Sequence, residues 1–189
     1  PEVVHNGNRT NTRQLINNYA IKVDYNQLIF KDVKMETGIR FSHTRTNNLL
    51  QFDNFSDGSW IRNSFRSSDF TYQEWIGAAY ISLYKKVNKQ LEVKVGARVE
   101  QTSLKNKLAT TKDSYDQHYL NVFPTTYINY TINNNNILSF SVKSDIRRPA
   151  YAQLNPFIFV ISDKYLVKGN PALRPSNSVM MELSCTMCR

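Results

Sequence analysis

The chain has 189 residues, which is long enough for one domain with a core. Its net charge is +9. Its basic residues are scattered and form no compact basic helix, so we predict no nucleic-acid partner. The longest apolar run, Phe157 to Ile161, is much shorter than the roughly 20 residues of a membrane-spanning helix. This excludes a helical membrane protein but not one that crosses a membrane with strands.

Seven segments of the chain alternate apolar and polar residues, and none shows a helical apolar period. Tyr and Phe, which favour strands, are abundant, with 11 and 10 copies. A period of two predicts half-buried strands. The segments are 14–25, 33–50, 70–87, 91–107, 119–132, 137–146 and one that begins near residue 178.

The segment 91–107 has the clearest alternation. Its apolar positions are Leu91, Val93, Val95, Ala97 and Val99. The charged residues between them are predicted to share the opposite, water-facing side, as candidates for the lining of a lumen. They are Glu92, Lys94, Arg98 and Glu100.

The connections between the predicted strands alternate strictly between short and long. The short ones are 26–32, 88–90 and 133–136, and the long ones are 51–69, about 106–118, and 147–177. Long strands with short turns at one end and long loops at the other are typical of outer-membrane barrels, whose long loops face outside. We therefore predict an all-β fold, a curved antiparallel meander of about seven long strands that is part of a larger transmembrane β-barrel.

The stretch from Arg147 onward carries a more specific pattern. Arg147-Arg148-Pro149-Ala150-Tyr151-Ala152-Gln153-Leu154-Asn155-Pro156-Phe157 is followed, 12 residues after Phe157, by Gly169-Asn170-Pro171-Ala172-Leu173-Arg174-Pro175. It resembles the barrel portion of Bacteroidetes-type TonB-dependent receptors in the outer membrane protein β-barrel family. That family typically shows a strand ending in Arg-Pro, a Leu-Asn-Pro-Phe loop and a Gly-Asn-Pro-x-Leu-Lys/Arg-Pro stretch.

This resemblance implies a protein of the bacterial outer membrane. Residues 1–189 would be part of a barrel domain of about 22 strands, truncated at both ends, with any signal peptide removed or outside this piece. A plug domain and the TonB-contacting segment would precede Pro1. The implied partners are outer-membrane lipid, the plug domain and TonB, and the implied activity is uptake of a bulky nutrient, whose identity the sequence does not give.

The motif residues predict loop architecture. Pro149 ends strand pairing, and Pro156 biases Asn155 toward an extended conformation. We expect Gly169 to adopt a conformation that other residues resist. A structural role is favoured over a ligand role in an external loop, for which 51–69 and 147–177 are the candidates. The motif residues are Arg148, Pro149, Tyr151, Leu154, Asn155, Pro156, Phe157, Gly169, Asn170, Pro171, Leu173 and Pro175.

Catalytic signatures are missing, so we predict neither an enzyme nor a cofactor. Asp113, Asp116 and His118 are close enough in sequence to bind a metal, but a solvated loop is favoured. Cys185 and Cys188 form a Cys-x-x-Cys pattern without the second pair that a zinc site needs. The alternative function is a soluble β-rich module that binds carbohydrate through aromatic side chains such as Trp60 and Trp75.

Overall fold

The computed structural model describes residues 7–30, 32–56, 58–109, 112–133, 135–156, 158–162 and 164–187, and for residues 158–162 it describes the backbone. No helix in these ranges is long and apolar enough to cross a membrane. The elements are β1 Gly7–Ile29, β2 Val33–Ser56, β3 Ser59–Arg62, β4 Ser68–Lys86, β5 Leu91–Leu108, β6 Asp113–Asn133, β7 Asn136–Arg147, α1 Tyr151–Leu154, β8 Ile158–Ser162, β9 Tyr165–Lys168 and β10 Ser176–Met187.

The long strands form one antiparallel sheet in the order β1-β2-β4-β5-β6-β7-β10, which curls into a half-barrel. β3 pairs with the end of β2, and β8 and β9 form a separate hairpin. Each of the seven predicted segments falls on one strand of this sheet. The predicted all-β fold, a curved antiparallel meander of about seven long strands, is therefore confirmed.

One predicted connection is wrong. The polar stretch 106–118 is not a long loop, because β5 and β6 continue to pair as far as Leu108 and Asp113. Lys105 and Asp116 lie opposite each other in this register, with their charged groups 3.6 Å apart. A polar sequence does not prevent strand pairing, because the backbone ladder forms whatever side chains it carries.

The other long connections have internal structure. The stretch 51–69 contains the end of β2 and all of β3. A tight turn follows β3, in which the Asn63 side chain accepts the backbone N–H groups of Phe65 and Arg66 at 3.1 Å. The stretch 147–177 contains α1 and the β8–β9 hairpin.

Asparagine side chains organise the short turns. Asn88 accepts the backbone N–H groups of Gln90 and Leu91, both at 2.8 Å, and Asn133 accepts that of Asn135 at 3.0 Å. These bonds replace ladder partners where the chain reverses. The asparagines of these turns therefore have a direct structural use.

Strand β6 loses its partner on one side halfway along. Its pairing with β7 runs from Asn133 only to Thr125, one residue after Pro124. Proline has no N–H to donate to a ladder, so its position coincides with the end of pairing. Beyond this point the Asn121 side chain of β6 donates to the Asn177 side chain of β10 at 3.2 Å.

The buried core lies on the concave face, at the end of the sheet that carries the long connections. Leu50 and Phe70 form its centre, and Phe70 is fully buried. Tyr72 and Leu108 from the sheet and Tyr151 from α1 pack against them. The chain that follows β7 thus packs onto the inner face of the sheet through Tyr151.

Candidate ligand-facing wall and its covering segment

The convex face carries continuous apolar rows. Adjacent positions across five strands place Val23, Ile39, Ala79, Val99 and Val122 side by side. The exposed fractions are 56% for Val23, 62% for Ile39 and 57% for Val122. A water-soluble protein rarely exposes so continuous an apolar surface. The convex face therefore needs an apolar environment.

The concave face carries the charges. The residues predicted to line a lumen all lie on it: Glu92, Lys94, Arg98 and Glu100. Lys94 lies 2.7 Å from Glu36, and Glu92 lies 3.0 Å from Lys86. Arg98 pairs with Glu100, which is 3% exposed. That this face lines a lumen remains a prediction.

Arg148 joins the chain after β7 to this charged wall. Its guanidinium pairs with Glu100, lies 3.7 Å from Glu74, and donates to the Thr102 hydroxyl at 3.3 Å. The Glu100 and Glu74 side chains are only 4% and 13% exposed. Burial lowers the pKa of Arg148 and Glu74 opposes this shift, and an arginine remains charged in proteins. The cluster is a buried ionic anchor.

We call residues 148–175 the covering segment, and its two described ends, 148–156 and 169–175, are attached to the concave face. The Tyr151 ring is 5.8 Å from that of Phe70 and meets Tyr72 edge-on at 6.1 Å. Burial raises the pKa of Tyr151. Leu154 and Asn155 are each 2% exposed. These contacts anchor α1 to the sheet by apolar packing.

The two ends of the covering segment are bonded to each other. The backbone N–H of Gly169 donates to the carbonyl of Asn155 at 3.0 Å, and that of Asn170 donates to Gln153 at 2.7 Å. A Cβ on Gly169 would lie 2.3 Å from the Asn155 carbonyl oxygen. Among the described glycines only Gly58 has a positive φ, so the predicted unusual conformation of Gly169 is wrong. Glycine is needed here for close backbone approach.

The remaining motif residues continue this arrangement. Asn155, before Pro156, has φ −70° and ψ 113°, the extended conformation that was predicted. Pro156 and Pro171 are buried, and Pro149 and Pro175 are half-buried. Phe157 lies outside the described residues.

Two side chains of the sheet bind the exit of the covering segment. The fully buried Asn106 donates to the Pro171 carbonyl at 3.2 Å, and Gln117 donates to that of Leu173 at 3.2 Å. Proline has no N–H to donate to a ladder, so this proline-containing stretch is held through its carbonyls instead. They attach the stretch that enters β10 to β5 and β6.

The sequence model of the outer membrane protein β-barrel family matches residues 2–188. The chain belongs to this family. No curated protein matches it. Among solved structures, the crystal structure of the ferric citrate transporter FecA in the unliganded form matches with a TM-score of 0.53 at 12% identity, covering 77% of this chain and 22% of that chain. The likeness shows a shared fold, and this chain spans less than a quarter of that protein.

Membership in the outer membrane protein β-barrel family indicates which face of the sheet meets lipid. The protein lies in the bacterial outer membrane, and the apolar convex rows face lipid. A strand needs about 9–11 residues to cross the bilayer, and the stretch from Leu91 to Val99 is long enough for this. β5 has 18 residues, so its second half projects beyond the bilayer. The covering segment docks there, through residues such as Thr102 and Asn106.

The convex face carries a stacked aromatic pair beyond the apolar rows, at the level where we expect the interface between bilayer and water. Trp75 and His43 lie opposite each other on β4 and β2, with ring centroids 4.8 Å apart and planes 15° apart. Outer-membrane barrels place aromatic girdles at this level. The other tryptophan, Trp60, packs on Phe55 and lies 4.6 Å from the Arg9 guanidinium.

One curved sheet of long strands does not support the alternative of a soluble carbohydrate-binding sandwich, which needs two facing sheets.

The metal and cysteine alternatives gain no support from the geometry. Asp113, Asp116 and His118 lie on β6 and not in a loop, so that part of the expectation is wrong. Within the described ranges, no group of three or more His, Cys, Asp or Glu side chains is placed to hold a metal ion. Cys185 is an exposed free cysteine on β10, and Cys188 lies outside the described residues.

Three residues that hold the covering segment were not predicted from the sequence: Glu74, Thr102 and Asn106. Thr102 and Asn106 continue the alternation of β5 beyond Glu100. Extending the predicted pattern by six residues would therefore have placed both side chains on the same face as Glu100. Glu74 has no such signal. Its role depends on Arg148, which is distant in sequence and reaches it only through the fold.

Proposed function

We propose that the chain forms part of a Bacteroidetes-type TonB-dependent receptor that imports a bulky nutrient across the outer membrane. The observation that carries this proposal is the charged concave wall with a covering segment anchored on it at Arg148. Such a wall suits a polar solute and not a lipid. The solved structure that shares the fold is named a ferric citrate transporter, which supports the same class of function.

The proposal includes parts of a larger barrel. Strands β1 and β10 end the sheet with open edges, which need further strands to be stable in a membrane. Seven strands would supply about a third of a barrel of about 22, whose lumen is plugged. Residues 1–189 are then a partial barrel domain, and a plug domain before Pro1 and TonB are the proposed partners.

A plugged lumen favours cargo too large to diffuse through an open pore, such as a metal chelate, a glycan or a peptide. The proposed role is binding and transport, and no catalytic step or cofactor is part of it. The covering segment would contact the solute as it enters from outside.

Gene deletion in the native host tests the proposal. The deletion strain and a strain depleted of TonB are grown on metal chelates, glycans and peptides supplied singly as limiting nutrient. We expect both strains to lose growth on the same nutrient, and the full-length gene to restore it only in cells that retain TonB. Unchanged growth of the deletion strain on every nutrient would contradict the proposal, and so would uptake that persists without TonB.

A further inference from the structure

We propose that the concave groove beside Arg148 binds an anionic solute through the carboxylate or phosphate groups of that solute. The groove has a volume of about 590 Å³ and is lined by Lys22, Arg40, Arg98, Lys143 and Arg148. Its carboxylates are Glu100 and Asp145. This inference names the solute class for the proposed transport, and in that respect rests on it.

Lys22 and Arg40 face each other directly across β1 and β2. Like charges in this position destabilise a sheet unless an anion lies between or beside them. Lys22 has such an anion in Asp24, 2.7 Å away. Arg40 has no ion pair among the described residues, so its charge is available to a ligand.

The opposite side of the groove repeats this imbalance. Lys143 on β7 lies across from Thr125 and has no ion pair within the described ranges. Asp145, two residues later on the same face, is the nearest carboxylate on its own strand. Arg98 and Arg148 share Glu100 as a partner. The lining holds five cations and two carboxylates, and Asp24 and Glu74 beside it pair with Lys22 and Arg148. Arg40 and Lys143 are left as cations without an ion pair among the described residues, and their charge attracts anions.

The shape and remaining chemistry of the groove fit a small polar solute. Ala78 keeps its floor low, and Ser82 and Thr125 add hydroxyl groups. Its volume is in the range of about 300–1,000 Å³ that small-molecule sites occupy. Arginine, lysine and hydroxyl donors together are the groups that recognise carboxylate and phosphate oxygens.

Calorimetry on the purified full-length protein in detergent tests this inference, with citrate and inositol hexakisphosphate as anionic probes and maltotriose as a neutral one. We expect saturable binding of at least one anion that weakens as NaCl is added. The double variant Arg40→Gln/Lys143→Gln should weaken binding at least about tenfold. The matched control Lys89→Gln/Lys112→Gln removes the same charge from exposed turns and should leave the affinity unchanged.

Three results would overturn the inference. They are no binding of either anion, an equal loss of anion affinity in both double variants, and binding of maltotriose as tight as that of the anions. A groove already occupied by an acidic face of the full-length protein would give the first result. Binding in detergent does not involve TonB, so the two proposals fail separately. Anion binding without TonB-dependent uptake would contradict only the proposed function, and TonB-dependent uptake without anion binding would contradict only this inference.

Discussion

Gly169 lies against the backbone of Asn155, to whose carbonyl it donates at 3.0 Å, and this contact closes the covering segment on itself. The two residues are separated by the whole β8–β9 hairpin. A side chain at position 169 has no room, because its Cβ would meet the carbonyl oxygens of Asn155 and Gln153 at 2.3 and 2.6 Å.

The substitution Gly169→Ala should therefore open the covering segment. Both clashing atoms are backbone, so relief requires that the chain moves, at a cost of about 1–3 kcal/mol. Limited proteolysis of the full-length protein in lipid vesicles measures this, with mass spectrometry to map cleavage between residues 156 and 169. We expect faster cleavage there than in the unsubstituted protein.

The matched control is Gly77→Ala, because a Cβ at Gly77 meets no atom within 4 Å. This variant should be cleaved at the original rate. Equal rates for Gly169→Ala and the unsubstituted protein would show that the close contact does not hold the segment closed.

The variant Arg148→Ala should loosen the anchor of the covering segment. It leaves Glu74 without its cation and leaves Glu100, whose side chain is 4% exposed, with Arg98 alone. Removing one partner of a buried pair costs about 3–5 kcal/mol. We expect about 2 kcal/mol here, because Arg98 and the partial exposure of Arg148 reduce the loss.

Urea unfolding of the full-length protein in vesicles, followed by tryptophan fluorescence, measures that change. Arg147→Ala, at the exposed neighbouring position, is the control and should change stability by less than about 0.5 kcal/mol. Adding Glu100→Gln to Arg148→Ala should restore part of the loss, because it removes the buried charge. Additive losses in this double variant would refute a direct coupling.

The variant Val95→Arg tests which face of the sheet meets lipid. Val95 is 44% exposed on the convex face, at mid-height of the apolar rows. An arginine at the bilayer midplane destabilises a barrel by about 2–4 kcal/mol. The same unfolding measurement in vesicles should show this loss.

Ser141→Arg provides its comparison on the concave face, opposite Glu182 of β10. The new cation there faces water and a carboxylate, so we expect little change in stability. A larger loss for Ser141→Arg than for Val95→Arg would reverse the assignment of the two faces.

The variant Gly38→Ala tests the packing of the charged wall. A Cβ at Gly38 would lie 2.7 Å from each of three neighbours, which are the Tyr80 ring, the Asp24 carboxylate and the backbone carbonyl oxygen of Val23. Tyr80 donates a hydrogen bond to Asp24 across this glycine, so the methyl group must separate them. We expect a loss of about 1–3 kcal/mol.

If the new methyl group displaces Tyr80, the two substitutions are coupled. The double variant Gly38→Ala/Tyr80→Ala should then lose less unfolding free energy than the two single variants lose in sum. Urea unfolding in vesicles measures all three. Fully additive losses would show that the glycine is not required by the tyrosine ring.

The sequence by itself determined the strands and the chemistry of their two faces. Alternation with a period of two is a local property, so Val95 and Arg98 can be assigned to opposite faces from the order of residues alone. The motif from Arg148 to Pro175 likewise identified the family. The polar composition around residue 110 was misleading, because backbone pairing between Leu108 and Asp113 does not depend on side-chain polarity.

Only the tertiary structure decided which distant groups meet. Arg148 reaches Glu74 and Glu100 because the chain after β7 turns onto the concave face, and no local pattern encodes that direction. The requirement for glycine at position 169 also arises from a neighbour 14 residues away and not from its own backbone angles. Such contacts depend on strand register and on the curvature of the whole sheet, which are non-local quantities.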